Sequence, residues 1–394
     1  MGGDAVSYPL VKISEFCKTG SGGTPSRTNL EFYDGDIPWI KSGELRESII
    51  TTTSEFITEN AVKKSSAKIV PKGAILLAMY GATVGRMAML GIDAATNQAV
   101  CNIVPDENIV FPRYVYYALS NKVPYFLNNA VGGAQPNISQ GMIKDTEILL
   151  PPLPEQKRIA AILDKADSLR RKRQQAMQLA DEFLRAVFLD MFGDPVTNPK
   201  GWEVKKLKEI SLIQIGPFGT QLHKEDYIEN GIPLINPTHI VKGKIVPNTS
   251  LTITVKKHAE LKEYHLEVGD IIMGRRGEMG RCAIVNERES GWFCGTGSLF
   301  IRPYKVGVFS EYLYSYLSGN SIKSYLEAES QGATMPNLNK TIVGNIKVPV
   351  PSEEALRKFS IIQDRTIKNI SKMKYFSDEL LFNSLSQKAF AGEL

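Results

Sequence analysis

No run of this chain is apolar for long enough to cross a bilayer. The longest uncharged apolar stretch, Gly73 to Gly85, lies between Lys72 and Arg86 and has the length and glycines of a buried strand and turn. The opening Met1-Gly2-Gly3-Asp4-Ala5-Val6 lacks the hydrophobic region of a signal peptide and has Val6 where a myristoylation motif wants Ser or Thr, so a cytoplasmic location is expected. Cysteine is sparse: Cys17, Cys101, Cys282 and Cys294 are far apart with no Cys-x-x-Cys pair, and reduced structural thiols are expected. Histidine is confined to His223, His239, His258 and His265; a metal site needs convergent ligands, so surface or base-contact roles are expected over coordination. Catalytic motifs are missing too. There is no Gly-rich cofactor loop followed by Asn-Pro-Pro-Tyr, no Pro-Cys pair, no P-loop and no His-Glu-x-x-His, and carboxylates such as Asp145 and Glu147 stand alone. No catalysis is expected from this chain by itself.

What is present is ordinary in bulk. With 394 residues, 43% hydrophobic and 23% charged, the chain can bury normal cores in two or three domains. Its formal charge of +5 permits nucleic-acid binding without requiring it. The basic residues cluster, at Lys63, Lys64 and Lys68, at Arg170, Arg171, Lys172 and Arg173, at Lys256 and Lys257, and at Arg275, Arg276 and Arg281. Any one cluster fits either a solvated face or a phosphate-binding patch.

The chain also says the same thing twice. Gly133-Ala134-Gln135-Pro136-Asn137-Ile138 returns as Gly332-Ala333-Thr334-Met335-Pro336-Asn337-Leu338, and Ile148 to Pro154 returns as Ile346 to Pro351. Gly35-Asp36-Ile37-Pro38-Trp39-Ile40 pairs with Asn230-Gly231-Ile232-Pro233-Leu234-Ile235, and Val70 to Leu76 with Leu266 to Ile272. A period on the order of 200 residues is the size of a domain, not of a solenoid unit. The turn-rich stretch Gly193 to Gly201 marks the boundary. The expected order is a first domain over 1–153, a helix over 154–192, a linker over 193–201, a second domain over 202–351 and a second helix over 352–394.

After Pro154 there is neither proline nor glycine until past Phe192, about 39 residues or roughly 58 Å if fully helical. One heptad register places Ile159, Ala166, Ala180 and Val187 at one seam position and Ile162, Leu169, Ala176 and Phe183 at the other, with Arg173 interrupting. The second copy carries Leu356, Phe359, Ile362, Thr366, Ile370, Met373, Phe376, Leu380 and Leu385 on a broader stripe between Ser352 and Phe390. The economical solution pairs the two helices within one chain, antiparallel if the copies are pseudo-twofold related; dimerisation helices are the alternative. Apolar surface left over on the pair would be an assembly site.

Each globular copy mixes short strand runs, Ala74 to Met79 and Asp270 to Met273, with short helices, Pro112 to Ser120 and Ser310 to Ser318, which is an α+β pattern. Beyond those strands lie Tyr80-Gly81-Ala82-Thr83-Val84-Gly85-Arg86 and Gly274-Arg275-Arg276-Gly277-Glu278-Met279-Gly280-Arg281. Glycine lets backbone approach a phosphate or base edge, Arg and Lys neutralise charge, and Asn or Gln can read adenine by paired hydrogen bonds. Shared framework with different loop side chains suits reading two different short sequences.

Three motifs together resemble the specificity subunit of Type I restriction–modification enzymes over nearly the whole length. They are Ser21-Gly22-Gly23-Thr24-Pro25-Ser26, Gly35-Asp36-Ile37-Pro38-Trp39-Ile40-Lys41-Ser42-Gly43-Glu44-Leu45, and Leu150-Pro151-Pro152-Leu153-Pro154-Glu155-Gln156-Lys157-Arg158-Ile159. The resemblance implies two pseudo-twofold-related α/β target-recognition domains joined by two long antiparallel coiled-coil helices, each domain reading one part of a bipartite double-stranded DNA target while the helices set the spacing. It also implies that two adenine-methylating modification subunits dock on the helices and that restriction subunits join for ATP-dependent cleavage. This chain would then be non-catalytic and free of metal, with S-adenosylmethionine, ATP and Mg²⁺ bound by the partners. Carried over to matched loop positions, the recognition role falls on Lys41, Ser42, Tyr80, Arg86, Gln135 and Asn137 in the first domain. In the second it falls on Asn236, His239, Arg275, Arg276, Arg281 and Asn337. The second copy departs from the pattern at Ser352-Glu353-Glu354-Ala355. The rival readings are a coiled-coil scaffold without DNA binding and a self-sufficient DNA methyltransferase.

Overall fold

In the computed structural model the described residues are 8–46, 48–131, 136–194, 196–277, 280–329, 337–374 and 378–394, with the side chains of 371–380 outside the description. The chain forms two compact units, residues 1–174 with 374–394 and residues 175–373. Each unit thus takes a stretch of both helical regions along with one copy of the repeat.

Both units share one topology. In unit 1 an antiparallel run places Cys17–Ser21, Val100–Pro105, Ile75–Ala78 and Met87–Leu90 side by side, with Ile49–Ile50 added parallel at the far edge. Unit 2 repeats the order as Ser211–Ile215, Ser298–Pro303, Ile271–Gly274 and Cys282–Ile284. A second, mixed sheet contains Phe56–Ile57, Tyr33–Ile40, Ala94–Thr96 and Ile69–Val70 in unit 1. Its counterpart contains Tyr227–Ile228, Thr252–Ile253, Ile232–Ile235 and Phe293–Cys294.

The central strand explains why its sequence is unbroken apolar. Strand side chains alternate between faces. Ile75 and Leu77 enter one core with the helix Pro112–Asn128, whereas Leu76 and Ala78 enter another on the opposite face. In unit 2, Ile271 and Met273 enter the helix-covered core and Ile272 the other. With apolar cores on both faces, a polar residue at either parity would be buried without a partner. The cysteines all lie in these interiors as free thiols; burial alone holds the Cys17 thiol up at about 12, far from the reactive thiolate.

The helix Pro112–Asn128 runs well past the expected end at Ser120, and Pro124 sits inside it. The buried side chain of Phe126 keeps the last turns packed on the core, which offsets the hydrogen bond that Pro124 cannot make. Its partner in unit 2, Val308–Leu317, ends close to the sequence expectation. The repeat register tightens as well. Tyr114 Oη donates to the Leu149 carbonyl at 2.7 Å and Tyr312 Oη to the Pro349 carbonyl at 2.7 Å, so Pro151 corresponds to Pro351.

The first long helix is Leu153–Phe192, one helix as expected. In the second region the described residues are helical over Glu353–Lys374 and Asp378–Ala391. Within unit 1 the start of the long helix lies against the chain end. Arg158 Nη2 donates to the Leu394 carbonyl at 2.7 Å, and the Arg170 guanidinium sits 4.8 Å from the Phe382 ring centre. Within unit 2, Phe188 and Phe192 pack on Phe359 at 5.7 and 5.3 Å. Early residues of one helical region therefore meet late residues of the other, the pairing order of antiparallel helices.

The expected seam is half right. Ile159 and Ala166 are buried as read, but Leu169 and Phe183 are 49% and 50% exposed. The second seam position is displaced by one residue, to buried Leu163 and half-buried Arg170, Met177, Leu184 and Met191. Apolarity alone selects Leu169 over Arg170. The aliphatic stem and flat guanidinium of Arg170 nevertheless lie over Phe382, a contact a letter-by-letter heptad cannot register.

Candidate nucleic-acid interface

Four chain segments meet at one edge of each unit. In unit 1 the end of the central strand joins the loop after Ala94–Thr96, because Met79 N–H donates to the Ala99 carbonyl at 2.8 Å. That loop joins the strand end at Ile40 through Asn97 N–H, at 3.0 Å, and the turn after Cys17–Ser21 is tied to the loop's far end through Gly22 N–H to the Val100 carbonyl, at 3.1 Å. Unit 2 repeats the lattice: Arg275 N–H to Gly297, Gly295 N–H to Ile235 and Gly216 N–H to Ser298, at 3.0, 2.9 and 3.0 Å. Gly22 and Gly216 make this crossing possible, since a Cβ at either would lie 2.3 or 2.0 Å from a backbone oxygen of the facing loop.

Beyond the central strand each unit turns through a short glycine loop closed the same way. Ala78 N–H donates to the Arg86 carbonyl and Gly274 N–H to the Arg281 carbonyl, both at 2.9 Å, which makes Arg86 and Arg281 equivalent. The glycine before each, Gly85 and Gly280, has φ of 80° and 72°. The repeated Pro-Asn segment pairs back onto the same loop. Tyr80 bridges Asn137, and Arg276 bridges Asn337. Ile138 N–H reaches the Met79 carbonyl at 2.7 Å and Leu338 N–H the Arg275 carbonyl at 2.9 Å.

The residues singled out from sequence are thereby gathered, but their availability differs. Arg86, Asn137 and Arg276 are exposed, and Ser42, Tyr80, Asn236 and Asn337 are half-buried. Lys41 is half-buried and its ammonium is held by Glu55, which also receives Arg27 Nη2 at 2.7 Å. The Lys41 bond, followed by Arg27, holds the Glu55 carboxyl below its ordinary range. Arg275 is only 7% exposed and donates from Nε to Asn337 Oδ1 at 3.0 Å. Burial, and then the neighbouring Arg276, pulls its pKa down. Arg281 Nη1 reaches the Pro237 carbonyl at 3.3 Å. His239 is buried, with Nδ1 2.9 Å from the Leu234 carbonyl. Gln135 lies outside the described residues. Of the other histidines, His258 and His265 stack face to face at 3.6 Å.

Sequence reasoning passed over two parts of this edge, the loop Asn97–Gln98 and the turn Pro217–Gln221. The signal for both was the glycine shared by Gly22 and Gly216, which marks a close backbone crossing. Among the described residues no group of three or more His, Cys, Asp or Glu is placed to hold a metal ion, and no helix is long and apolar enough to cross a membrane.

Duplicated α+β units that share a strand framework, differ in the side chains of one loop edge and are each closed by segments of long helices define a class of paired recognition proteins. The description "Type I restriction modification DNA specificity domain" matches residues 6–178 and again 199–380. The chain belongs to that family. It is 29% identical over 392 residues to the Type I restriction enzyme MjaIX specificity subunit of Methanocaldococcus jannaschii, covering 93% of this chain and 88% of the relative. It is 24% identical over 387 residues to the MjaVIII specificity subunit of the same organism, covering 93% and 87%. The crystal structure of the S subunit of a Type I restriction-modification system from M. genitalium matches with a TM-score of 0.60 and 18% identity over 98% of this chain and 96% of that one.

Proposed function

We propose that this chain is the DNA-recognition subunit of a Type I restriction–modification complex, in which each unit reads one part of a bipartite duplex target. The observation that carries the reading is the edge built twice by the same backbone lattice but furnished with different side chains, Tyr80 and Arg86 against Arg276 and Arg281. Exposed Arg86 and Arg276 supply charge for phosphates or guanine edges, and exposed Asn137 supplies an amide suited to adenine, whereas Asn236 Oδ1 accepts the Gly297 N–H at 3.2 Å. Lys41, Arg275 and His239 act on this reading from behind the edge, by shaping it.

The exposed apolar side chains of the long helix, Leu169, Leu179, Phe183 and Leu189, support docking of two modification subunits along it, with restriction subunits joining the assembly. S-adenosylmethionine, ATP and Mg²⁺ then belong to those partners, and the complex works in the cytoplasm. Sequencing of methylated bases in a host carrying this chain with its modification partner tests the reading. A two-part methylated motif is the expected result, together with binding to that duplex that weakens steeply as salt rises. Salt-insensitive or absent binding would favour a protein scaffold, and methyl transfer by the purified chain alone would favour a self-sufficient enzyme.

A further inference from the structure

The turn that follows the first long strand of unit 2 presents an aromatic ring where a reader of DNA has use for one. Phe218 is 66% exposed, on a loop beginning at Gly216. Its turn is held from both directions. Gln221 N–H donates to the Phe218 carbonyl at 2.9 Å, and Phe218 N–H donates to Gln221 Oε1 at 3.0 Å. The same Oε1 accepts from Tyr264 Oη at 3.0 Å, and Tyr264 is buried in the core. A large apolar side chain left in water on a turn pinned to the interior is a preorganised contact, since the ordering entropy has already been lost on folding.

Its place decides what it can touch. Gly216, two residues earlier, lies so close to Gly295 that a Cβ there would sit 2.0 Å from the Gly295 oxygen. The loop from Gly295 to Gly297 is in turn hydrogen-bonded to Arg275 of the reading loop at 3.0 Å. Unit 1 has another chemistry in the same seat. There Thr24, two residues after Gly22, pairs its Oγ1 with Oε1 of exposed Gln98 on the loop equivalent to Gly295–Gly297. The turn thus carries an apolar ring in unit 2 and, in unit 1, a hydroxyl paired with an amide on the facing loop.

We propose that this turn, together with the loop facing it, is a second specificity-determining edge of each unit. Phe218 packs on the C5 methyl of a thymine in the part read by unit 2, and the amide of Gln98 reads a base in the part read by unit 1. A phenyl ring discriminates thymine by its methyl, the one apolar group on a major-groove edge, whereas an oriented amide offers paired donor and acceptor atoms. The inference rests on the DNA-reading function proposed above and adds residues to it.

The test uses the chain assembled with its modification partner and duplexes in which each thymine of the unit 2 part is replaced in turn by deoxyuridine, which removes only the methyl. One replacement is expected to weaken binding roughly threefold to tenfold. Phe218→Ala should weaken binding to the thymine duplex by the same factor and be indifferent to that replacement, while Phe218→Leu keeps part of the preference. Gln98→Ala should relax one base position in the other part alone. Unchanged thermal melting of Phe218→Ala excludes loss of fold. Wild-type indifference to deoxyuridine at every position, or a unit 2 part without thymine, overturns the proposal. If Arg276→Ala weakens binding and Phe218→Ala does not, this inference fails and DNA reading stands; if neither does and binding ignores salt, both fail.

Discussion

Arg275 and Arg276 are neighbours in sequence with opposite circumstances. The first is buried and gives its Nε hydrogen to Asn337; the second stands in solvent on the same glycine loop. Arg275→Ala leaves the Asn337 oxygen without its donor in a partly buried site, and a loss of about 1–3 kcal/mol in urea unfolding is expected. Arg276→Ala should leave that unfolding curve within about 0.5 kcal/mol of the parent, as for surface changes generally, while lowering affinity for the cognate duplex. A single basic cluster read from sequence therefore divides into a buried strut and an exposed side chain. Lys41 and His239 follow the first pattern. Their partners Glu55 and the Leu234 carbonyl were invisible in the sequence, because a residue's type states what it can bond and only the fold states what it has bonded.

At the scale of elements, the helix that closes each unit starts in two different ways. Gln156 is fully buried, its Oε1 accepting Phe111 N–H at 2.7 Å and its Nε2 donating to the Pro151 and Ile109 carbonyls at 2.8 and 3.2 Å. By the register that matches Pro151 to Pro351, unit 2 has buried Leu356 there. Gln156→Leu strands three backbone groups at once, so a loss of at least about 1–3 kcal/mol is expected, read as a lowered urea midpoint of unit 1. Loss of nothing measurable would mean that the start of the helix rearranges to pair those groups itself. The departure at Ser352-Glu353-Glu354-Ala355 was plain in the sequence, and its meaning was not until the Gln156 bonds were seen. Long elements were legible: the helix from 153 to 192, the duplicated strands and the α+β class all follow from proline placement and apolar periodicity. The seam face and the continuation through Pro124 were not, because ring stacking on Phe382 and burial of Phe126 are tertiary events.

For the whole molecule, the proposed role makes helix length carry information. Inserting four residues, about one turn, near Gln174 with a matching insertion in the second helical region is expected to lengthen the unread gap between the two methylated parts while each part keeps its bases. Methylome sequencing reads both quantities at once, and a gap indifferent to the insertion would remove the helices from the spacing role.

The central strands, with Ile75 and Leu77 in one core and Leu76 and Ala78 in another, leave natural selection little freedom in the body of either unit. Exposed loop side chains such as Arg86 and Arg276 belong to neither core, so substitutions there leave the packing of both untouched. On the proposed function, a new target can therefore be specified at those loop positions without the folding problem being solved afresh.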